Sequence, residues 1–145
     1  MSIFDNLNEI YTLEATDRSA TDEEIKQLQE FSPVSLPLDY IGLLQESTDV
    51  EITVENGKLI RIWGISGMNG VIELNDAYEV QKNISNSLVI GDDSGDMALM
   101  LLNGNEGFGL YITGFGDLDP ETAIKIAPTL NDFLIDKVGV ENFLW

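Results

Sequence analysis

Leu88-Val89-Ile90-Gly91-Asp92-Asp93-Ser94-Gly95-Asp96-Met97-Ala98-Leu99-Met100-Leu101-Leu102 runs on through Asn103-Gly104-Asn105-Glu106-Gly107 to Phe108-Gly109-Leu110-Tyr111-Ile112-Thr113-Gly114-Phe115. The stretch reads as three consecutive strands. Its apolar runs (Leu88–Ile90, Met97–Leu102, Phe108–Phe115) are closed by clusters of glycine, aspartate and asparagine, which punctuate strands and supply their turns. The middle run does not alternate with polar residues, so it is expected to be covered on both faces. Six residues between tight turn signals are too few for a typical helix, and the run is read as a central strand. It needs neighbours, and the rest of the chain supplies them.

With 145 residues the sequence has the length of one domain, enough to bury roughly 70% of its unfolded surface. Its 43% hydrophobic and 23% charged residues describe a globular chain. No apolar run approaches the ~18 residues of a membrane span. Met1-Ser2-Ile3-Phe4-Asp5 lacks the basic and apolar regions of a signal peptide, so a cytoplasmic address is expected. The absence of cysteine excludes disulfides, thiolate metal sites and Cys nucleophiles. Twenty-six acidic against seven basic residues give a formal charge of −19. Such a surface repels nucleic acid and anionic membranes and accelerates encounter with basic partners; solubility alone is the plainer explanation. The chain also has no histidine, the side chain most used for proton transfer near neutral pH.

In chain order, Phe4, Leu7, Ile10 and Tyr11 recur at helical steps, making residues 1–20 a helical extension that ends in a polar connection from Thr12. Thr21-Asp22-Glu23-Glu24 is a capping box; it opens a helix showing Ile25 and Leu28 on one side and closed by Ser32-Pro33. Pro37 suits the first turn of a third helix that carries Tyr40, Ile41, Leu43 and Leu44, where core packing is the expected role of Tyr40. Val50-Glu51-Ile52-Thr53-Val54 and Leu59-Ile60-Arg61-Ile62-Trp63 form a hairpin. A two-residue Asn56-Gly57 loop would pair Ile52 with Arg61. A three-residue loop with Gly57 left-handed pairs Ile52 with Ile60, Val50 with Ile62 and Glu51 with Arg61, satisfying both faces. Trp63 is either core or a partner-binding aromatic, and core is favoured. Gly64 to Gly70 is a loop without a phosphate-binding pattern. Leu74, Ala77, Tyr78 and Gln81 mark one side of a three-turn helix ending near Asn83. Asp119 before Pro120 is placed to cap a helical turn, and a last helix is expected from Pro128 to Val138, closed by Gly139.

Asp92, Asp93 and Asp96 put three carboxylates within five residues, but the alternation and distal Glu of an EF-hand are absent. A turn selects the same residues for backbone reasons, and the turn reading is favoured over a metal site. Carboxylates are abundant, yet nothing singles out a glycosidase pair. Serine hydrolase chemistry in its usual form lacks its histidine.

The order of these features resembles the SUKH superfamily, the Smi/Knr-type proteins. Ile25 to Phe31 followed by Leu36-Pro37-Leu38-Asp39-Tyr40-Ile41-Gly42-Leu43-Leu44 is similar to the family's N-terminal signature of a helix and then Leu-Pro-x-x-Tyr-x-x-Phe-Leu. Leu88 to Asp96 resembles its strand entering a Gly-Asp-rich turn, Gly109-Leu110-Tyr111 its Gly-x-Tyr strand, and Leu130-Asn131-Asp132-Phe133-Leu134 its closing helix. The likeness covers roughly residues 21 to 136. It departs where Glu46-Ser47-Thr48-Asp49 replaces the usual Asn-Gly and where Leu43 stands for Phe.

The resemblance implies an α/β (α+β) domain, a mostly antiparallel sheet of about five to six strands flanked by N-terminal, middle and C-terminal helices. It implies a non-enzymatic immunity protein that neutralises a cognate bacterial toxin, with no catalytic residues, cofactor or metal. The acidic charge suits a basic toxin such as a nuclease domain, captured by electrostatically steered surface contact. Asp92, Asp93, Asp96, Asp117 and Asp119 are the candidate partner-binding residues, and a monomer or weak homodimer is expected. A regulatory interaction module of the same fold stays open as the alternative, with an enzyme or calcium-binding protein third.

Overall fold

The structure, a computed structural model, describes residues 2–143. Seven strands form one sheet in sequence order: β1 (Tyr11–Asp17), β2 (Thr48–Val54), β3 (Leu59–Ile62), β4 (Ser87–Asp92), β5 (Met97–Gly104), β6 (Gly107–Gly114) and β7 (Ile124–Ala127). Every neighbouring pair is antiparallel. The helices are α1 (Asp22–Phe31), α2 (Leu38–Glu46), α3 (Val71–Ala77), α4 (Val80–Asn83), α5 (Leu130–Leu134) and α6 (Val140–Phe143). The class is the expected mixed α+β, with somewhat more strands than the sequence suggested. Among the described residues no helix is long and apolar enough to cross a membrane.

The central block forms as read. Ala98 to Leu102 on β5 are all buried, between β4 and the eight-residue ladder to β6. In the first hairpin Ile52 pairs with Ile60, Val50 with Ile62 and Glu51 with Arg61. Gly57 sits at φ +89° in the three-residue loop, a conformation that costs a β-carbon-free residue little. Buried Val50, Ile52, Ile60 and Ile62 face the core, and Glu51 and Arg61 lie half-exposed on the other side. The Thr21 hydroxyl accepts from the Glu24 amide and the Glu24 carboxylate from the Thr21 amide, completing the capping box that starts α1. Tyr40 is wholly buried in the core.

Three regions differ from expectation. Instead of a helix over Phe4 to Tyr11, a 3-10 turn at Phe4–Asn6 precedes edge strand β1. All of β1 but Tyr11 is exposed, so burial left no alternating signature, and pairing with β2 decides the conformation. Tyr11 anchors the strand: its hydroxyl donates to the Phe133 carbonyl at 2.9 Å and its ring packs 6.2 Å from that of Phe133. The expected three-turn middle helix is two short ones, broken at Glu79, which adopts φ +53°. Tyr78, still helical at the end of α3 with its amide bonded to the Leu74 carbonyl, is 44% exposed. The segment before Pro128 is the short strand β7. The closing helix starts one residue beyond Pro128, at a Thr129 cap whose hydroxyl accepts from the Asp132 amide, and it ends at Leu134, not Val138.

The β3–β4 pairing explains why the middle helices sit where they do. Strand β3 reaches only Arg61↔Asp92 and Ile62↔Gly91, leaving the first half of β4 without a strand on that side. Buried Asn75 takes the strand's place. Its amide nitrogen donates to the carbonyl of Val89 at 2.8 Å, and its oxygen accepts from the Val89 amide at 3.0 Å. Gln81 donates to Asn75 Oδ1 and to the Ser87 carbonyl. Buried backbone groups must find partners, and α3 and α4 deliver them as side chains.

Candidate functional site

Strand β3 carries Ile60 and Ile62 inward, and the same alternation sends Arg61 and Trp63 to the opposite face. A tryptophan left there would be exposed, yet only 4% of Trp63 is. Tyr78, at the C-terminal cap of α3, and Phe115, at the start of the 3-10 turn after β6, pack against it. The Tyr78 and Phe115 rings stack with centroids 4.5 Å apart, and the Trp63 ring lies 6.4 and 6.2 Å from them. Such offset contacts add about 0.5–1.5 kcal/mol each beyond burial. The Trp63 indole N–H donates to Asp92 Oδ2 at 2.8 Å, fixing that carboxylate at the end of β4. Trp63 is therefore core, part of the main hydrophobic cluster against which Phe115 packs.

Beside this cluster lies a cleft of about 150 Å³ whose walls include Asp49, Arg61, Trp63, Tyr78 and Asp92, with Asn69 and Leu74 closing it. Asp49 enters β2 at φ +54°, which aspartate tolerates better than most residues. Its carboxylate has no hydrogen-bond or ion-pair partner among the described residues. Arg61 stands across from Glu51, 4.0 Å away, both side chains more than 40% exposed. Met68, one residue before Asn69, is 92% exposed.

The five expected partner-binding aspartates fall at the same end of the sheet in two groups, in which the Phe115 amide donates to the Asp96 carbonyl at 2.8 Å. Asp92 and Asp93 shape the turn. Asp92 Oδ1 accepts from the Ser94 amide, and Asp93 Oδ1 accepts from the amides of Gly95 and Met97. Asp96 and Asp117 are exposed, while Asp119 is half-buried and accepts from the Glu121 amide. Among the described residues no group of three or more acidic side chains is placed to hold a metal ion. Asp49, Tyr78 and Phe115 are not among the site residues expected from the sequence. Asp49 did carry a signal, since it shares the outward register of Glu51 on β2.

A larger groove of about 540 Å³ lies between the N-terminal turn, α2 and α5, lined by Ile3, Asn6, Leu38, Asp39, Gly42 and Asn131 among others. Its Asp39 is engaged structurally, accepting from the amides of Tyr40 and Asn131. Chemically the aromatic cleft offers a flat ring surface and carboxylate oxygens. That pairing suits a cation at the end of a long side chain.

Compared with known families, residues 19–136 match the model of the SMI1 / KNR4 family (SUKH-1). The match takes in every element from α1 to α5 and starts after β1. No curated protein matches the chain.

Proposed function

The chain belongs to the SMI1 / KNR4 family (SUKH-1), and from that premise we propose that it is a non-enzymatic immunity protein that binds and neutralises a cognate bacterial toxin in the cytosol. The family match is the observation that carries this reading, because immunity is the role for which the SUKH family is generally known. The charge of −19 supports a basic toxin domain, such as a nuclease that needs positive charge to hold phosphates. Complementary fields speed diffusional encounter and suppress wrong partners. Neutralisation proceeds by covering the toxin's working surface, with no bond made or broken. The acidic end of the sheet is the contact face: Asp96 and Asp117 present exposed carboxylates, Asp92 and Asp93 hold the turn that carries Asp96, and Asp119 lies just beyond Asp117.

The test is co-expression of the chain with toxin domains encoded beside its gene. Growth restored against one of them, with a complex recovered by affinity capture, supports the proposal. Failure to protect against every such toxin refutes it.

A further inference from the structure

We infer that the cleft between Asp49, Trp63, Tyr78 and Asp92 is a receptor for a single arginine side chain presented by the basic protein partner. The inference rests on the immunity reading only for the identity of the protein that carries the arginine. Size favours a single side chain: the cleft is about 150 Å³, whereas sites for drug-sized ligands run to about 300–1,000 Å³. Chemistry selects the cation. Tyr78 leaves 44% of its surface in solvent while the ring is held from behind by Phe115 at 4.5 Å, so its exposed surface is rigid and available for a cation–π contact. Asp92 is fixed by the Trp63 indole at 2.8 Å and by the Ser94 amide, yet a carboxylate oxygen accepts more than one hydrogen bond. Asp49 is half-exposed and unengaged among the described residues. Arg61 lies in the same wall with Glu51 4.0 Å away, and the two aspartate carboxylates outnumber its single positive charge in the cleft. A planar guanidinium can stack on an aromatic ring and bond carboxylates edge-on at once, which an ammonium cannot. Charge complementarity with a chain of −19 makes the occupant basic, and exposed Met68 beside the cleft gives the partner's neighbouring side chains an adaptable contact.

The test uses the full chain, ¹⁵N-labelled, with Trp145→Phe so that the Trp63 indole N–H gives the single indole signal. It is titrated with N-acetyl-arginine methylamide and, at matched ionic strength, with N-acetyl-glutamine methylamide. The expected result is a saturable shift of the indole resonance with the arginine probe alone, lost in Tyr78→Ala and in Asp49→Asn. Thermal melts check that both variants fold; Asn also tolerates a positive φ, so the second removes charge and little else. No saturable shift, an equal response to the glutamine probe, or a shift unchanged in the folded variants overturns the inference. With a protective toxin in hand, the same variants should weaken its binding about tenfold or more. Unchanged toxin affinity overturns the arginine receptor and leaves immunity standing. A positive arginine titration in a chain that protects against no toxin does the reverse.

Discussion

Replacing Asn75 by leucine keeps the side chain's approximate shape and removes its amide. In the native fold that amide serves both backbone groups of Val89, donating to its carbonyl at 2.8 Å and accepting from its N–H at 3.0 Å. Asn75 and Val89 are both wholly buried, so water does not take over. A buried polar group left without a partner costs about 1–3 kcal/mol, so the two together cost about 2–6 kcal/mol. The Val71 carbonyl, which Asn75 also contacts, adds less because it lies within helix α3. A domain of this size is stable by about 5–15 kcal/mol in all, so the variant should stay folded at a visibly lower midpoint. Urea denaturation followed by tryptophan fluorescence measures this, with the slope checked for constancy. Gln81→Ala should cost about 1 kcal/mol, since it is only half-buried. Because Gln81 donates to Asn75 itself, the double variant should fall short of the sum. A loss below about 1 kcal/mol for Asn75→Leu would falsify the view that this side chain stands in for a missing strand.

Gly91→Ala should destabilise by about 2 kcal/mol or more through overpacking, because a β-carbon there would run into the Arg61 carbonyl oxygen across the β3–β4 ladder; calorimetric melting shows it, and an unchanged Tm counters the argument. The Arg18 guanidinium, and after it the Thr21 amide, hold the Glu24 carboxyl at about 2, well below its ordinary 4.5. Its folded pKa is depressed, so its contribution is fully present above pH 4.5 and disappears as pH falls toward 2. The Arg18 side chain is 50% exposed, and solvent screening keeps that contribution small. Glu24→Gln preserves the cap, so the stability gap between it and the native chain should close across that acid window; a gap that persists or widens there contradicts the pairing. Finally, association with a basic toxin should slow by about tenfold or more between low salt and physiological ionic strength, read by stopped-flow fluorescence, and a salt-independent rate would remove electrostatic steering from the mechanism.

The local code of this chain is unusually explicit in some places. Thr21 and Glu24 announce the start of α1 because a capping box is a contact between residues three apart. The hairpin register follows from requiring Ile52 and Ile60 on one face and Glu51 and Arg61 on the other, a constraint contained within fifteen residues. The alternation-free run Met97 to Leu102, bracketed by Gly-Asp and Asn-Gly turns, identifies the centre of the sheet before any partner is known. The aspartates of the turn that precedes it could likewise be assigned to backbone duty, since Asp92 and Asp93 bond amides two to four residues ahead.

Other features have their causes far away in the chain. Strand β1 exists because β2 offers it an edge and Phe133 receives the Tyr11 hydroxyl, 122 positions distant; its own exposed residues carry no period to read. The middle helix is broken at Glu79 so that Asn75 and Gln81 can both reach β4, a demand set by how short β3 is. The aromatic cleft draws on β2, β3, α3, β4 and the turn after β6, and no spacing along the sequence foretells that Trp63, Tyr78 and Phe115 will stack. Sequence by itself determined the elements whose stabilising contacts are local, along with the family and the acidity of the surface. Tertiary structure alone decided which of the acidic and aromatic side chains meet, because that depends on long-range strand pairing and on buried backbone groups finding partners.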